Sequence, residues 1–188
     1  MTNYFPDITL TSELNNDEQF LNGLKIDFFN IVILHKNFVD EKFFSETIGS
    51  EQLFLAVPYN HRFADKEGIF LEELNGEKIL LYSKIGFWYE ICKEKAPNAK
   101  FLLQTEREIF KELVESNSFL SFTTNIFIEN SRAPKNCFYK PILNVEADVT
   151  YHCVCKLNCK NRFKSLIEKL KTSTFKTFFS KFYSIELT

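Results

Sequence analysis

The chain has 188 residues and a mass of 22.2 kDa, enough for one domain or two small lobes. Lysine plus arginine number 23 and aspartate plus glutamate 25, a formal net charge of −2, so no basic excess marks a free-standing nucleic-acid binder. Hydrophobic residues at 45% exclude wholesale disorder, and 22 Phe against 5 Gly favour a dense core over glycine-rich phosphate loops.

Phe5-Pro6-Asp7 reads as a turn, and residues 8–12 alternate like a strand. Asn16 is placed to cap a helix from Asp17 to about Lys25, with Gln19 at the capping-box position and Phe20, Leu21 and Leu24 facing inward. Residues 28–34 form a nearly continuous apolar run, as expected of a strand covered on both faces. A second run, 53–57, stops at Pro58. Residues 61–68 are polar and irregular, 71–74 suit one helical turn, and 78–82 suit a strand. Ser83 is a good N-cap for a helix over 84–95 that ends before Pro97. A strand over 101–104 leads to a helix with Thr105 as cap, Glu108 at the capping-box position and an apolar face of Ile109, Phe110, Leu113 and Val114. A strand over 119–122, a short helix over 125–132 and extended segments over 138–143 and 149–157 follow. A helix over 161–171 turns Phe163, Leu166, Ile167 and Leu170 inward. The tail, 172–188, is ambiguous between helix and a short final strand over 183–187.

Strands alternating with helices predict an α/β fold with largely parallel sheets. The block 58–140 carries its own strand–helix–strand–helix–strand unit. Residues 1–57 and 141–188 are expected to join as a discontinuous first lobe, with hinge crossings near Pro58 and Pro141. The longest apolar run is interrupted by Asn30 and falls short of the roughly 20 residues of a membrane span. The N-terminus has neither the positive start nor the apolar stretch of a secretory signal, so a cytoplasmic location is expected. Five cysteines without framework spacing suit reduced thiols.

Chemistry-bearing patterns are weak. Cys153, Cys155 and Cys159 lie beside His152, but no matched second knuckle completes a zinc site, and buried small side chains on a strand explain them better. His35 and His61 are available to a cysteine nucleophile, yet no motif surrounds any cysteine. There is no G-x-S-x-G, and no two glycines sit within six residues, which excludes a P-loop or dinucleotide fingerprint. Glu72-Glu73 and the pair Glu106 and Glu108 read as solvated loop and first-turn helix charges. No enzyme activity, metal or cofactor is therefore expected. The helix starts at Ser83-Lys84 and Thr105 remain, since small ligands dock at strand C-terminal ends and free N–H groups there favour anions.

The order of segments resembles one family. Leu21-Asn22-Gly23-Leu24-Lys25-Ile26-Asp27 and the apolar run after it resemble the "L-x-x-G-x-L-D-h-x-h" segment of LysR-type transcriptional regulator effector domains. Leu53-Phe54-Leu55-Ala56-Val57-Pro58-Tyr59-Asn60-His61-Arg62-Phe63-Ala64 is similar to "L-x-h-V-x-P-x-x-H-P-L-A", and residues 69–77 to "h-x-L-x-D-L-x-G-E". Residues 105–122 match the helix and strand that usually carry "L-V-x-x-G-x-G-I-x-x-L-P". Arg62-Phe63 replaces Pro-Leu, Ser116-Asn117-Ser118 stands in the Gly-x-Gly region, and Thr124 stands where Pro is usual.

The resemblance implies two Rossmann-like lobes of the type 2 periplasmic-binding-protein kind, joined by a two-crossing hinge with a small effector between them. It implies a homodimer that meets DNA only through an N-terminal winged helix, with no direct nucleic-acid contact by this chain and no membrane partner. A stand-alone solute-binding-like protein of the same fold is the alternative. Aligned residues expected at the cleft are His35 and Lys36, Ser83 and Lys84, Gln104 and Thr105, and Phe122, Thr123 and Thr124. Lys36, Lys84 and the helix caps suggest an anionic effector such as a carboxylate. Tyr4-Phe5-Pro6-Asp7 resembles the end of the family's first effector-domain helix, so the first lobe is expected to lack its usual first strand. The gap would be closed by rearrangement, by residues 183–187, or by a partner chain.

Overall fold

The computed structural model describes residues 17–82, 87–116, 118–131 and 133–171. The expected strand over 8–12, Ser83 and Lys84, and the tail segment 183–187 lie outside these residues. In chain order the elements are α1 (Asp17–Lys25), β1 (Ile31–Leu34), β2 (Phe43–Pro58), β3 (Lys78–Tyr82), α2 (Trp88–Lys95), β4 (Lys100–Gln104), α3 (Arg107–Glu115), β5 (Leu120–Thr124), α4 (Asn125–Glu129), β6 (Cys137–Pro141), β7 (Asp148–Lys156) and α5 (Lys160–Lys169). Leu71–Leu74 form one turn of 3₁₀ helix.

α1 starts with Asp17 and Glu18 and ends with Lys25, so its end charges oppose the helix dipole. The strand expected over 28–34 begins only at Ile31. The backbone N–H groups of Phe28 and Phe29 both donate to the Gly23 carbonyl, at 2.9 and 3.1 Å, and Asp27 adopts a left-handed φ of 62°. Those bonds close the end of α1, so 28–30 belong to its turn, and Phe28 is 69% exposed. In β1 buried and half-buried residues alternate, so the strand is not covered on both faces.

The expectation of largely parallel sheets is corrected. The strands form one mixed sheet in the order β1-β7-β2-β5-β3-β4, with β6 also on β2. Only β3–β4 and β3–β5 pair parallel among the described strands, while β1–β7, β2–β7, β2–β5 and β2–β6 are antiparallel. The cause is β2, a 16-residue strand that runs through both halves of the sheet. It pairs with β7 from Phe43 to Gln52, with a register shift between Thr47 and Gly49, then with β5 from Leu53 and β6 from Phe54. β7 lies directly between β1 and β2, with Leu34 opposite His152 and Gln52 opposite Asp148.

The main core gathers Leu53, Leu55 and Val57 of β2, Ile79 and Leu81 of β3, Trp88 and Cys92 of α2, and Phe163 and Ile167 of α5. Residue 71–74 packing is fixed by Asn144, whose Oδ1 accepts from Leu71 N at 2.7 Å while its Nδ2 donates to Glu72. α3 differs from its expected packing. Of its apolar face only Val114 is buried, and Ile109 is 46% exposed. The helix lies over β3 and the edge strand β4, whose Leu103 is itself 55% exposed.

Candidate functional site

The parallel strands β3, β4 and β5 all end on one edge, at Tyr82, Gln104 and Thr124. In open α/β sheets this edge is where ligands dock. A cavity of about 580 Å³ opens there, a size typical of small-molecule sites. Its apolar wall includes Leu53 of β2, Leu81 of β3, Phe110 of α3, Phe122 of β5 and Phe127 of α4. Thr123 and Thr124 add hydroxyls at the end of β5. Cations come from Arg107 and Lys111 on α3 and from Lys135 before β6, interleaved with Glu108 and Glu115.

One acidic side chain differs from these surface charges. Glu51 lines the cavity and is 1% exposed. Side chains of a strand alternate between faces, and Glu51 is in phase with the buried Leu53, Leu55 and Val57. The Tyr151 hydroxyl, reaching across from β7, donates to Glu51 Oε2 at 2.7 Å. Oε1 has no hydrogen-bond partner among the described residues, and neither has Thr124 Oγ1. Burial pushes the Glu51 carboxyl above the usual range, and the neighbouring Tyr151 and Thr124 hydroxyls pull it partly back. Thr124 stands close enough to act on the charge without completing a well-formed bond.

Of the residues expected at the cleft, Phe122, Thr123 and Thr124 come together on the cavity wall. Gln104 turns back on its own chain, its Oε1 accepting from Glu106 N at 2.9 Å. Glu106, not Thr105, is the N-cap of α3, and Thr105 is exposed. His35 lies 3.0 Å from Asp17 through Nδ1 and stacks on Phe87, with ring centroids 4.6 Å apart and planes 10° from parallel. Lys36 is exposed beside it. The sequence reading missed Glu51, Arg107, Lys111 and Lys135. For Glu51 a signal existed, namely an acid in phase with the leucines of an apolar strand.

The other reactive groups have structural settings. Burial pushes the Cys92 thiol up to about 12, and burial with the neighbouring Cys155 pushes Cys153 up to about 12. Neither is a nucleophile at neutral pH. His61 sits 3.4 Å from Glu77 through Nε2 and accepts from Phe63 N through Nδ1. Glu73 pairs with Lys66 and accepts from Phe70 N at 3.0 Å. Among the described residues no group of three or more His, Cys, Asp or Glu is arranged to hold a metal ion. No described helix is long and apolar enough to cross a membrane.

The family model described as the LysR substrate binding domain matches residues 1–172. Several solved structures share the fold. The reduced OxyR regulatory domain from Pseudomonas aeruginosa is 16% identical, with a TM-score of 0.60 over 84% of this chain and 80% of that one. The regulatory domain of MetR, a LysR family regulator from N. meningitidis, is 10% identical, with a TM-score of 0.70 over 93% and 83%. The BenM effector binding domain with its effector benzoate is 19% identical, with a TM-score of 0.55 over 83% and 73%. No curated protein matches the chain.

Proposed function

The chain belongs to the LysR substrate binding domain family, and from that premise we propose that it senses a small-molecule effector for a LysR-type transcriptional regulator. The ligand occupies the cavity at the ends of β3 and β5. The observation that carries this reading is the cavity's position, at the C-terminal strand edge beside the point where β2 changes partners. A neighbour of the same fold holding benzoate adds support for a ligand-binding role. The two lobes are taken as 1–57 with 141–188, and 58–140.

The ligand carries an anionic group. Arg107, Lys111 and Lys135 supply cations at the cavity. Phe122, Thr123 and Thr124 form the wall against its body. The protein acts as a homodimer, a reading supported by the exposed apolar side chains of Leu102, Leu103 and Ile109 on β4 and α3.

The test is a thermal-shift and native mass-spectrometry screen of small carboxylates with apolar bodies. At a concentration 100-fold above Kd, a ligand stabilises by about 2.7 kcal/mol. The screen is repeated with Arg107→Glu combined with Lys111→Glu, which should abolish the shift. Carboxylate binding that survives this double change would place the ligand elsewhere.

A further inference from the structure

Among the charges around the cavity, one group decides the balance by its ionisation. Arg107, Lys111 and Lys135 line the cavity together with Glu108, Glu115 and Glu51. The first five are exposed or half-buried, whereas Glu51 is 1% exposed. With Glu51 ionised, three acids offset three cations, and the lining offers an anion no net attraction. With Glu51 protonated, one positive charge is left over. The surroundings favour the protonated form. Glu51 sits opposite Val149 of β7 and in phase with the buried Leu53 and Leu55. Its charge draws on the Tyr151 hydroxyl of β7, at 2.7 Å, and on the neighbouring Thr124 hydroxyl of β5. No cation pairs with it among the described residues. A buried carboxylate held by hydroxyls alone is costly, and burial pushes Glu51 above the usual range. The other titratable groups nearby do not take its place. Cys153 shares the face of Tyr151, and its thiol, pushed up to about 12, stays neutral. His152 turns to the opposite face, toward Thr47. Tyr82 of β3 completes the titratable lining.

We propose that the cavity takes up its anion together with a proton, and that the proton goes to Glu51. The proposal rests on the effector-sensing reading of this cavity and adds how pH regulates it. The coupling acts through space and needs no contact between the ligand and the buried oxygens. Glu51 is itself a lining residue, and so is Thr124, whose hydroxyl acts on its carboxyl. Charges in such a poorly solvated place interact more strongly than in water. An anion in the cavity disfavours the ionised acid, and by linkage the ionised acid disfavours the anion. One proton leaves the solvent and ends on the carboxyl, and no bond to the ligand forms. Affinity for an anion is therefore highest where Glu51 is protonated and falls as pH rises through its folded pKa. A neutral ligand of the same shape carries no such dependence.

The experiment uses the full chain. The probes are hexanoate, benzoate and hexane-1-sulfonate, with hexanamide and benzamide as neutral counterparts. Binding is measured by calorimetry from about pH 5.5, where the carboxylate probes are ionised, to about pH 8.5. Runs in buffers of different ionisation enthalpy count the protons taken up. At least one anion should lose about tenfold or more in affinity for wild type across this range, with net proton uptake as the decline sets in. Glu51→Gln keeps the shape of the side chain and an oxygen for Tyr151. It should bind the same anion with a flat pH profile and no proton uptake. Tyr151→Phe removes a bond that favours the charged form, so it should move the decline to higher pH. That variant and the proton count on wild type decide the matter if melting curves show Glu51→Gln unfolded. If anions bind wild type without proton uptake, or Glu51→Gln keeps the wild-type profile, the proposal fails while the effector-sensing reading stands. An equal decline for the neutral amides, or an unmoved decline in Tyr151→Phe, would overturn it in the same way. Absence of binding by every probe would overturn both readings.

Discussion

Replacing Tyr151 by Phe isolates the one hydrogen bond that anchors the buried acid. The bond is 2.7 Å long and ends on a carboxyl that is 1% exposed. Without it Glu51 Oε2 joins Oε1 as an unpartnered buried acceptor. A hydrogen bond to a charged group contributes about 1.5–3 kcal/mol and one between neutral groups about 0.5–1.5 kcal/mol. Tyr151→Phe should therefore destabilise by about 1.5–3 kcal/mol where Glu51 is ionised. In a Glu51→Gln background, where the acceptor is a neutral amide, the cost should fall to about 1 kcal/mol. Urea unfolding of wild type, both single variants and the double variant gives the coupling directly. The pH dependence has a fixed sign. Glu51 has a folded pKa above its unfolded value, so its contribution is fully present below the unfolded pKa of 4.5 and is lost as pH rises through the folded pKa. Glu51→Gln should remove that loss and flatten the alkaline side of the stability profile. Equal costs of Tyr151→Phe in both backgrounds, or an unchanged profile in Glu51→Gln, would refute this account of the site.

Leu55→Ala should destabilise by about 2–5 kcal/mol in urea unfolding, because the side chain is 0% exposed at the centre of the main core. The ring stack of His35 on Phe87 should show a coupling of about 0.5–1.5 kcal/mol in a double-alanine cycle, and additivity would show that it contributes nothing. His152 should titrate below 6.5 by NMR, since burial disfavours its charged form more than Asp17 restores it. Cys92 and Cys153 should resist thiol reagents at pH 8 until the chain is unfolded, and rapid labelling of either in the native state would contradict their burial.

Where local sequence decides the element, the sequence was readable. β3 is a compact apolar run between a loop and a helix start, and α5 shows the spacing of Phe163, Leu166 and Ile167 that a buried helix face requires. Direction of pairing is a different kind of property. Glu51 and Tyr151 are 100 residues apart, and no local pattern in β2 states that β7 lies antiparallel to it. The first part of β2 escaped notice because Ser45, Glu46, Thr47 and Gln52 interrupt its apolar residues, as a partly exposed sheet face permits. Phe122, Thr123 and Thr124 entered as cleft residues only through the resemblance to the family's effector domains, and they line the cavity at the end of β5. The charges were not legible. Arg107 and Lys111 look like any solvated helix residues, and Glu51 looks like a polar residue before a strand unless its phase with Leu53 is followed.

The position of Glu51 ties the cavity to both halves of the sheet. Gln52 is the last β2 residue paired with β7, and Leu53 is the first paired with β5. The N–H of Gln52 donates to Asn125 Oδ1 at 2.9 Å, so the first residue of α4 holds the strand where it changes partners. Glu51, one residue earlier, accepts from the Tyr151 hydroxyl of β7 through Oε2 and is among the residues that line the cavity. A ligand shifts a conformational equilibrium only by the difference in its affinity for the two states. Here Glu51 lines the cavity and is tied to β7 by Tyr151, so a ligand that prefers one state of that bond would bias the β2–β7 junction.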